Sequence, residues 1–77
     1  MILKIGNRAS LKVSSFEEAS LLYAQYRDAS LEGASTFPDG AILDGTRTIA
    51  RVSYNGKVWP PAKWTEGQIP LFNPYSK

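Results

Sequence analysis

The side chains able to carry a reaction are few in this chain, and their arrangement limits them further. Glu17 and Glu18 are adjacent, so on a helix they project about 100° apart and do not converge on one substrate atom. Asp39 and Asp44, with Gly40 between them, suggest calcium but lack the spacing and closing glutamate of an EF-hand loop. Histidine and cysteine are both absent. Their absence removes the commonest general base, the thiol nucleophiles and the usual zinc ligands. Serines and lysines occur without diagnostic spacing, and no glycine-rich loop matches a phosphate or dinucleotide fingerprint. The expectation is a non-enzyme with no catalytic residue, no metal and no cofactor.

Binding chemistry is better represented. From Phe16 to Glu32 there are four acids (Glu17, Glu18, Asp28, Glu32) and one base, Arg27, while the remainder holds eight bases and three acids. Leu21 sits amid those acids. Glu17, Leu21 and Asp28 therefore make a small apolar spot ringed by carboxylates, suited to a basic partner. Lys4, Lys12, Arg47 and Arg51 form the opposing possibility, a basic sheet face able to follow phosphates without reading bases. Net charge of only +2 makes nucleic acid the less favoured partner.

The C-terminal stretch "EGQIPLFNPYSK" offers a third surface, with Gln68, Leu71 and Phe72 as its anchors. Two apolar side chains on a proline-stiffened segment lose little entropy on docking. The same side chains are equally useful inside a small domain, where burying them contributes roughly 3–6 kcal/mol. Trp59 and Trp64 flank Pro60 and Pro61. A proline-rich ligand is one use of that segment; a lid in which Trp64 folds over the prolines and the core is the favoured one.

These residues need elements to hold them. The 77 residues make one domain, 1–77, with an extended proline-rich segment from 60 to 77. Nothing approaches the length of a membrane span or the pattern of a signal peptide, so a cytoplasmic location without membrane partners is expected. Leu3, Ile5, Leu11 and Val13 alternate with Lys4 and Lys12 about a Gly6–Ser10 turn, which predicts a β-hairpin with both lysines outward. Ser14-x-x-Glu17 and Ser15-x-x-Glu18 both fit a capping box, and Gly33 fits a C-terminal cap. Between them Phe16, Ala19, Leu22, Tyr23, Tyr26 and Ala29 define the buried side of an amphipathic helix.

Pro38-Asp39-Gly40 is turn chemistry before a short strand near Ala41–Leu43. Asn55-Gly56 predicts a type I′ hairpin in which Tyr54 faces Lys57, Ser53 faces Val58 and Val52 faces Trp59. That register puts Ala50, Val52, Tyr54 and Trp59 toward the helix, and Arg47, Ile49, Arg51, Ser53 and Val58 away from it. It separates the arginines from the aromatic rings and so argues against a nucleic-acid stacking platform. The expected fold is α+β, one amphipathic helix on a twisted antiparallel sheet of four to five strands in ββαβββ-like order. Its expected core is Leu3, Ile5, Leu11, Val13, Phe16, Ala19, Leu22, Tyr23, Tyr26, Val52, Tyr54 and Trp59.

The run "SFEEASLLYAQYRDASLEGASTFPDG" followed by "ARVSYNGKVW" is similar to short uncharacterised proteins encoded by phages, prophages and other bacterial mobile elements. The similarity spans roughly residues 13–59. It carries no activity and implies a context, the cytoplasm of a bacterial host. Small proteins of that kind often work by binding, so the expected role is to bind and modulate, including inhibit, a host protein complex such as a defence or replication machine. Gln68, Leu71 and Phe72 also resemble the short peptide by which bacterial polymerases and repair proteins engage the sliding clamp. That resemblance implies Leu71 and Phe72 in an apolar pocket, with Gln68 at its rim.

Overall fold

The computed structural model describes residues 1–61 and 66–75. Five strands and one helix follow in the order β1 (Ile2–Ile5), β2 (Ala9–Lys12), α1 (Phe16–Ser30), β3 (Gly40–Asp44), β4 (Arg47–Val52) and β5 (Val58–Trp59). The strands form one antiparallel sheet in the spatial order β2-β1-β3-β4-β5, and α1 lies across β1 and β4. The α+β architecture expected from the alternation and helical periodicity is the one observed. Trp64 and its expected lid lie outside the described residues.

The first hairpin pairs Leu3 with Leu11 and Lys4 with Ser10. Leu3, Ile5 and Val13 are buried beneath the helix, and Lys4 and Lys12 project from the outward face. Ser15 is the N-cap of α1, its side chain accepting the Glu18 N–H at 3.1 Å. Glu18 reciprocates one residue earlier than a standard capping box, accepting the Ser14 N–H at 2.7 Å.

The helix ends before Gly33. Leu31 takes the left-handed C-terminal position at φ 60, and Ser30 Oγ accepts the Glu32 N–H at 3.2 Å. Gly33 instead opens the next turn, its carbonyl accepting from Thr36 and Phe37. The earlier stop turns Glu32 toward Arg8, which donates to both carboxylate oxygens at 2.6 and 3.0 Å. Those hydrogen bonds, with the charge of Arg8, hold the Glu32 carboxyl below its ordinary range.

The buried side of α1 is rotated from the expected one. Ala19, Ser20 and Tyr23 are buried, Phe16 and Leu22 are half-buried, and Tyr26 and Ala29 are exposed. Room for Tyr23 comes from Gly40. A Cβ there would stand 3.0 Å from Leu3 Cδ1, 3.1 Å from the Tyr23 ring and 3.2 Å from Val52, so any larger residue would crowd the ring and its neighbours. Tyr23 donates its hydroxyl proton to the Pro38 carbonyl at 2.9 Å and packs edge-on against Phe37 at 5.5 Å. Burial pushes its pKa up to about 12. Phe37, Ile42, Ala50 and Val58 complete the core beyond the residues expected.

The second hairpin is one residue out of the expected register. Arg51 pairs with Trp59 and Val52 with Val58, while Ser53 N–H donates to the Lys57 carbonyl at 3.0 Å. The connection is a three-residue loop in which Gly56 (φ +87) takes positive φ and Asn55 does not, so this is not a type I′ turn. Asn55 Oδ1 accepts the Lys57 N–H at 3.1 Å and stabilises that shape. Tyr54 is thereby freed to reach the helix end, donating its hydroxyl proton to the Glu32 carbonyl at 2.7 Å. A one-residue slip exchanges the faces of β5. Val58 enters the core and Trp59 joins Arg51 on the outward face, its Nε1–H donating to Ser53 Oγ at 2.9 Å.

Candidate functional site: a groove between α1 and the C-terminal segment

On the side of α1 turned away from β1, residues Glu17, Ser20, Leu21, Ala24 and Arg27 form one wall of a groove of about 480 Å³. Asn55 and Gly56 form its base, and Phe72, Pro74 and Tyr75 form the opposite wall. Helical geometry explains the first wall, since positions three and four apart share a face. Ser20 fixes the base by donating to the Gly56 carbonyl at 2.6 Å.

The second wall is held by the edge of β5. Val58 N–H donates to the Phe72 carbonyl at 2.9 Å, and Leu71 N–H donates to the Val58 carbonyl at 2.6 Å. Phe72 thus forms a single antiparallel bridge with Val58 and packs against the core. Prolines at 70 and 74 flank that bridge; lacking an N–H, neither can extend the ladder through its nitrogen. Asn73 Oδ1 accepts the Tyr75 N–H at 2.9 Å, which turns the chain so that Tyr75 comes back toward α1.

Electrostatics divide the groove. Arg27 looks like a free cation in the sequence but is occupied. It donates to the Tyr54 carbonyl at 2.7 Å and to Asp28 at 3.1 Å, and its guanidinium lies over the Tyr54 ring at 5.5 Å. Glu17 makes no ion pair among the described residues, and the Asp28 side chain is 72% exposed beside its one partner. The groove therefore has an apolar middle, with the carboxylate of Glu17 on its wall and the satisfied guanidinium of Arg27 further along it.

Of the residues singled out as partner-binding, the fold brings Glu17, Leu21 and Phe72 into this groove, while Asp28 is not among its lining residues and pairs with Arg27. Gln68 and Leu71 are not in it. Leu71 is half exposed, and Gln68 Oε1 is buried without a hydrogen bond among the described residues. Phe72 therefore turns inward while Leu71 and Ile69 face solvent around a separate hollow. The residues missed were Ser20, Ala24, Arg27, Asn55, Gly56, Pro74 and Tyr75. The readable signal was the stripe Glu17, Leu21, Ala24, Arg27, which steps by four, three and three.

The basic residues separate differently. Strand pairing aligns Ser10, Lys4, Ala41, Arg51 and Trp59 in one outward row across all five strands. Lys12 lies two residues along β2 on the same face, opposite Ile2. Arg47 does not share it. The irregularity between Ile42 and Leu43 inserts Ile49 into β4, so Arg47 pairs with Asp44 out of phase with Arg51. Arg51 Nε donates to the Pro60 carbonyl at 3.3 Å, and its Nη2 is buried without a partner among the described residues. Asp39 joins Lys4 and Arg51 around the adjoining hollow.

No three His, Cys, Asp or Glu side chains among the described residues converge on a metal position. No helix among them is long and apolar enough to cross a membrane. Compared with protein-family models, curated proteins and solved structures, the chain finds no match.

Proposed function

We propose that this chain is a non-enzymatic interaction module that binds and modulates a host protein complex through the groove between α1 and the C-terminal segment. One observation carries the proposal. Leu21, at 58% exposed, and Tyr75, at 66%, face a shared apolar channel that the described residues leave open. A chain this small has few apolar side chains to spare, so leaving several around one channel favours a use for them. The resemblance to short mobile-element proteins fits a role in occluding or recruiting host machinery. Affinity capture from a bacterial lysate, run in parallel with Leu21→Glu, tests it. The proposal expects specific captured proteins to be lost with Leu21→Glu; capture unchanged by that substitution counts against it.

A second reading, a nucleic-acid accessory protein, is favoured by the placement of Trp59 beside Arg51 in the outward row that also holds Lys4. Asp39 in the adjoining hollow and the absence of Arg47 from the row weigh against it. No retention on single-stranded DNA or RNA at low salt removes this reading, because phosphate contacts are strongest there. A sliding-clamp ligand through Gln68, Leu71 and Phe72 requires Phe72 to leave its bridge to Val58, which makes it the least economical reading.

A further inference from the structure

We infer that two copies of this chain pair through the free edge of β2, joining their sheets across a two-fold axis at Leu11. This is independent of the groove, which lies against β5 at the other edge of the sheet. Among the described residues β2 pairs only with β1, so one side of the strand has no partner. The phase of the ladder decides what that side offers. Val13 N–H donates to the Met1 carbonyl at 2.9 Å, and Leu11 and Ala9 stand opposite Leu3 and Ile5 in the same phase. Ala9, Leu11 and Val13 therefore bond inward to β1, and Ser10 and Lys12 direct their N–H and C=O groups outward. Such an edge is a template for another extended strand. The edge of β5 is not, because Leu71 and Phe72 already occupy it.

Three features select a second copy as the occupant. The edge is short, bounded by the turn after Ile5 and by the start of α1 at Phe16. A loose peptide ordered over so few residues gains little against the entropy it loses, whereas a second β2 arrives already ordered by its own β1. The outward groups are also self-complementary. With Leu11 on the axis, Ser10 of each copy lies opposite Lys12 of the other and every outward N–H meets a C=O. Finally, the side chains suit this register. Leu11, half-buried, meets its own counterpart and continues the apolar row begun by Leu3. Ser10 separates Lys4 of its own sheet from Lys12 of the other, so the cations stand on alternate strands. Moving the register by two residues sets Lys12 against Lys12 in one direction and Arg8 against Lys12 in the other, and like charges directly opposite are unfavourable.

So short a contact is smaller than a standard interface, so the dimer should be weak, replacing monomer over roughly 0.1–1 mM in sedimentation equilibrium. Ser10→Pro removes only an outward donor; circular dichroism should be unchanged while self-association falls at least about tenfold. A second measurement does not depend on that variant folding. The chain has no cysteine, so Leu11→Cys forms disulfides only between copies. In the proposed pair the Leu11 Cα atoms lie about 4.5 Å apart, within disulfide reach, and the Lys12 Cα atoms about 8 Å apart, beyond it. In a glutathione buffer Leu11→Cys should cross-link at least about tenfold more than Lys12→Cys. A chain that stays monomeric to about 1 mM overturns the proposal, as does a dimer indifferent to Ser10→Pro. Preferential cross-linking of Lys12→Cys overturns it too, by placing the lysines opposite each other.

Discussion

Helix α1 has two apolar sides, and they differ in what covers them. Toward the sheet, Ala19 and Tyr23 are completely buried against Leu3, Ile5, Ile42, Val52 and Val58. Toward the C-terminal segment, Leu21 and Ala24 face a channel bounded, among the described residues, by Asn55 and Gly56 at its base and Phe72, Pro74 and Tyr75 opposite. The first side is sealed by a paired sheet, the second by one bridging residue. One helix therefore serves as core and as exposed wall, and side chains on its two sides should respond in opposite ways to substitution. Core substitutions should cost stability whether or not a partner exists; groove substitutions should cost binding and little else.

The largest expected contrast comes from Tyr23→Ala. It removes a fully buried ring together with its hydrogen bond to Pro38. A loss of about 3–5 kcal/mol is expected, enough to unfold most of a domain this small. Urea denaturation followed by far-UV circular dichroism measures it. A loss below about 1 kcal/mol would mean that the sheet side of α1 is not the core.

Alkaline pH probes the same side without an alanine substitution. The folded chain holds the Tyr23 proton more tightly than the unfolded chain does, so this stabilisation is complete below the ordinary tyrosine pKa. It should be lost as pH rises from about 10 toward 12, amounting to about 2–3 kcal/mol. Tyr23→Phe should flatten that decline, although it starts less stable for want of the Pro38 hydrogen bond. Equal declines in the two proteins would place the effect elsewhere.

Phe72→Ala lies between the extremes. Phe72 is half-buried and bridges only Val58, so a cost of about 1–2 kcal/mol is expected, with the fold retained and groove binding lost. Complete unfolding would make the C-terminal segment part of the core. Leu21→Glu should have the smallest effect on stability, within about 0.5 kcal/mol, because the side chain is already solvated. Thermal melting in parallel with the parent chain would reveal any larger cost.

How much of this was legible in the sequence differs between the same two sides. Periodicity located both hairpins, the helix and the outward lysines, because alternation and helical spacing are local properties. It misjudged the rotation of α1, since Tyr26 and Ala29 fit the apolar wheel as well as Tyr23 does. What favours Tyr23 is the space above Gly40, a contact between segments that periodicity does not report. Asn55-Gly56 indicated the hairpin and misled on its register. The two-residue reading ignored what Tyr54 gains by leaving the strand: a hydrogen bond to Glu32, an edge contact with Phe37 and the Arg27 guanidinium. The groove was half visible. Leu21 among acids and the apolar C-terminal segment both stood out, but their meeting across Gly56 depends on the bridge at Val58.

The central claim is that the exposed side of α1 is a binding surface separate from the core. Backbone amide shifts during titration with a ligand whose capture is lost with Leu21→Glu test it most directly. The expected changes cluster at Leu21, Ala24, Gly56 and Tyr75, with Leu3, Ile42 and Val52 unmoved. Changes centred on Lys4, Arg51 and Trp59 would contradict the claim and move the binding surface to the outward face of the sheet.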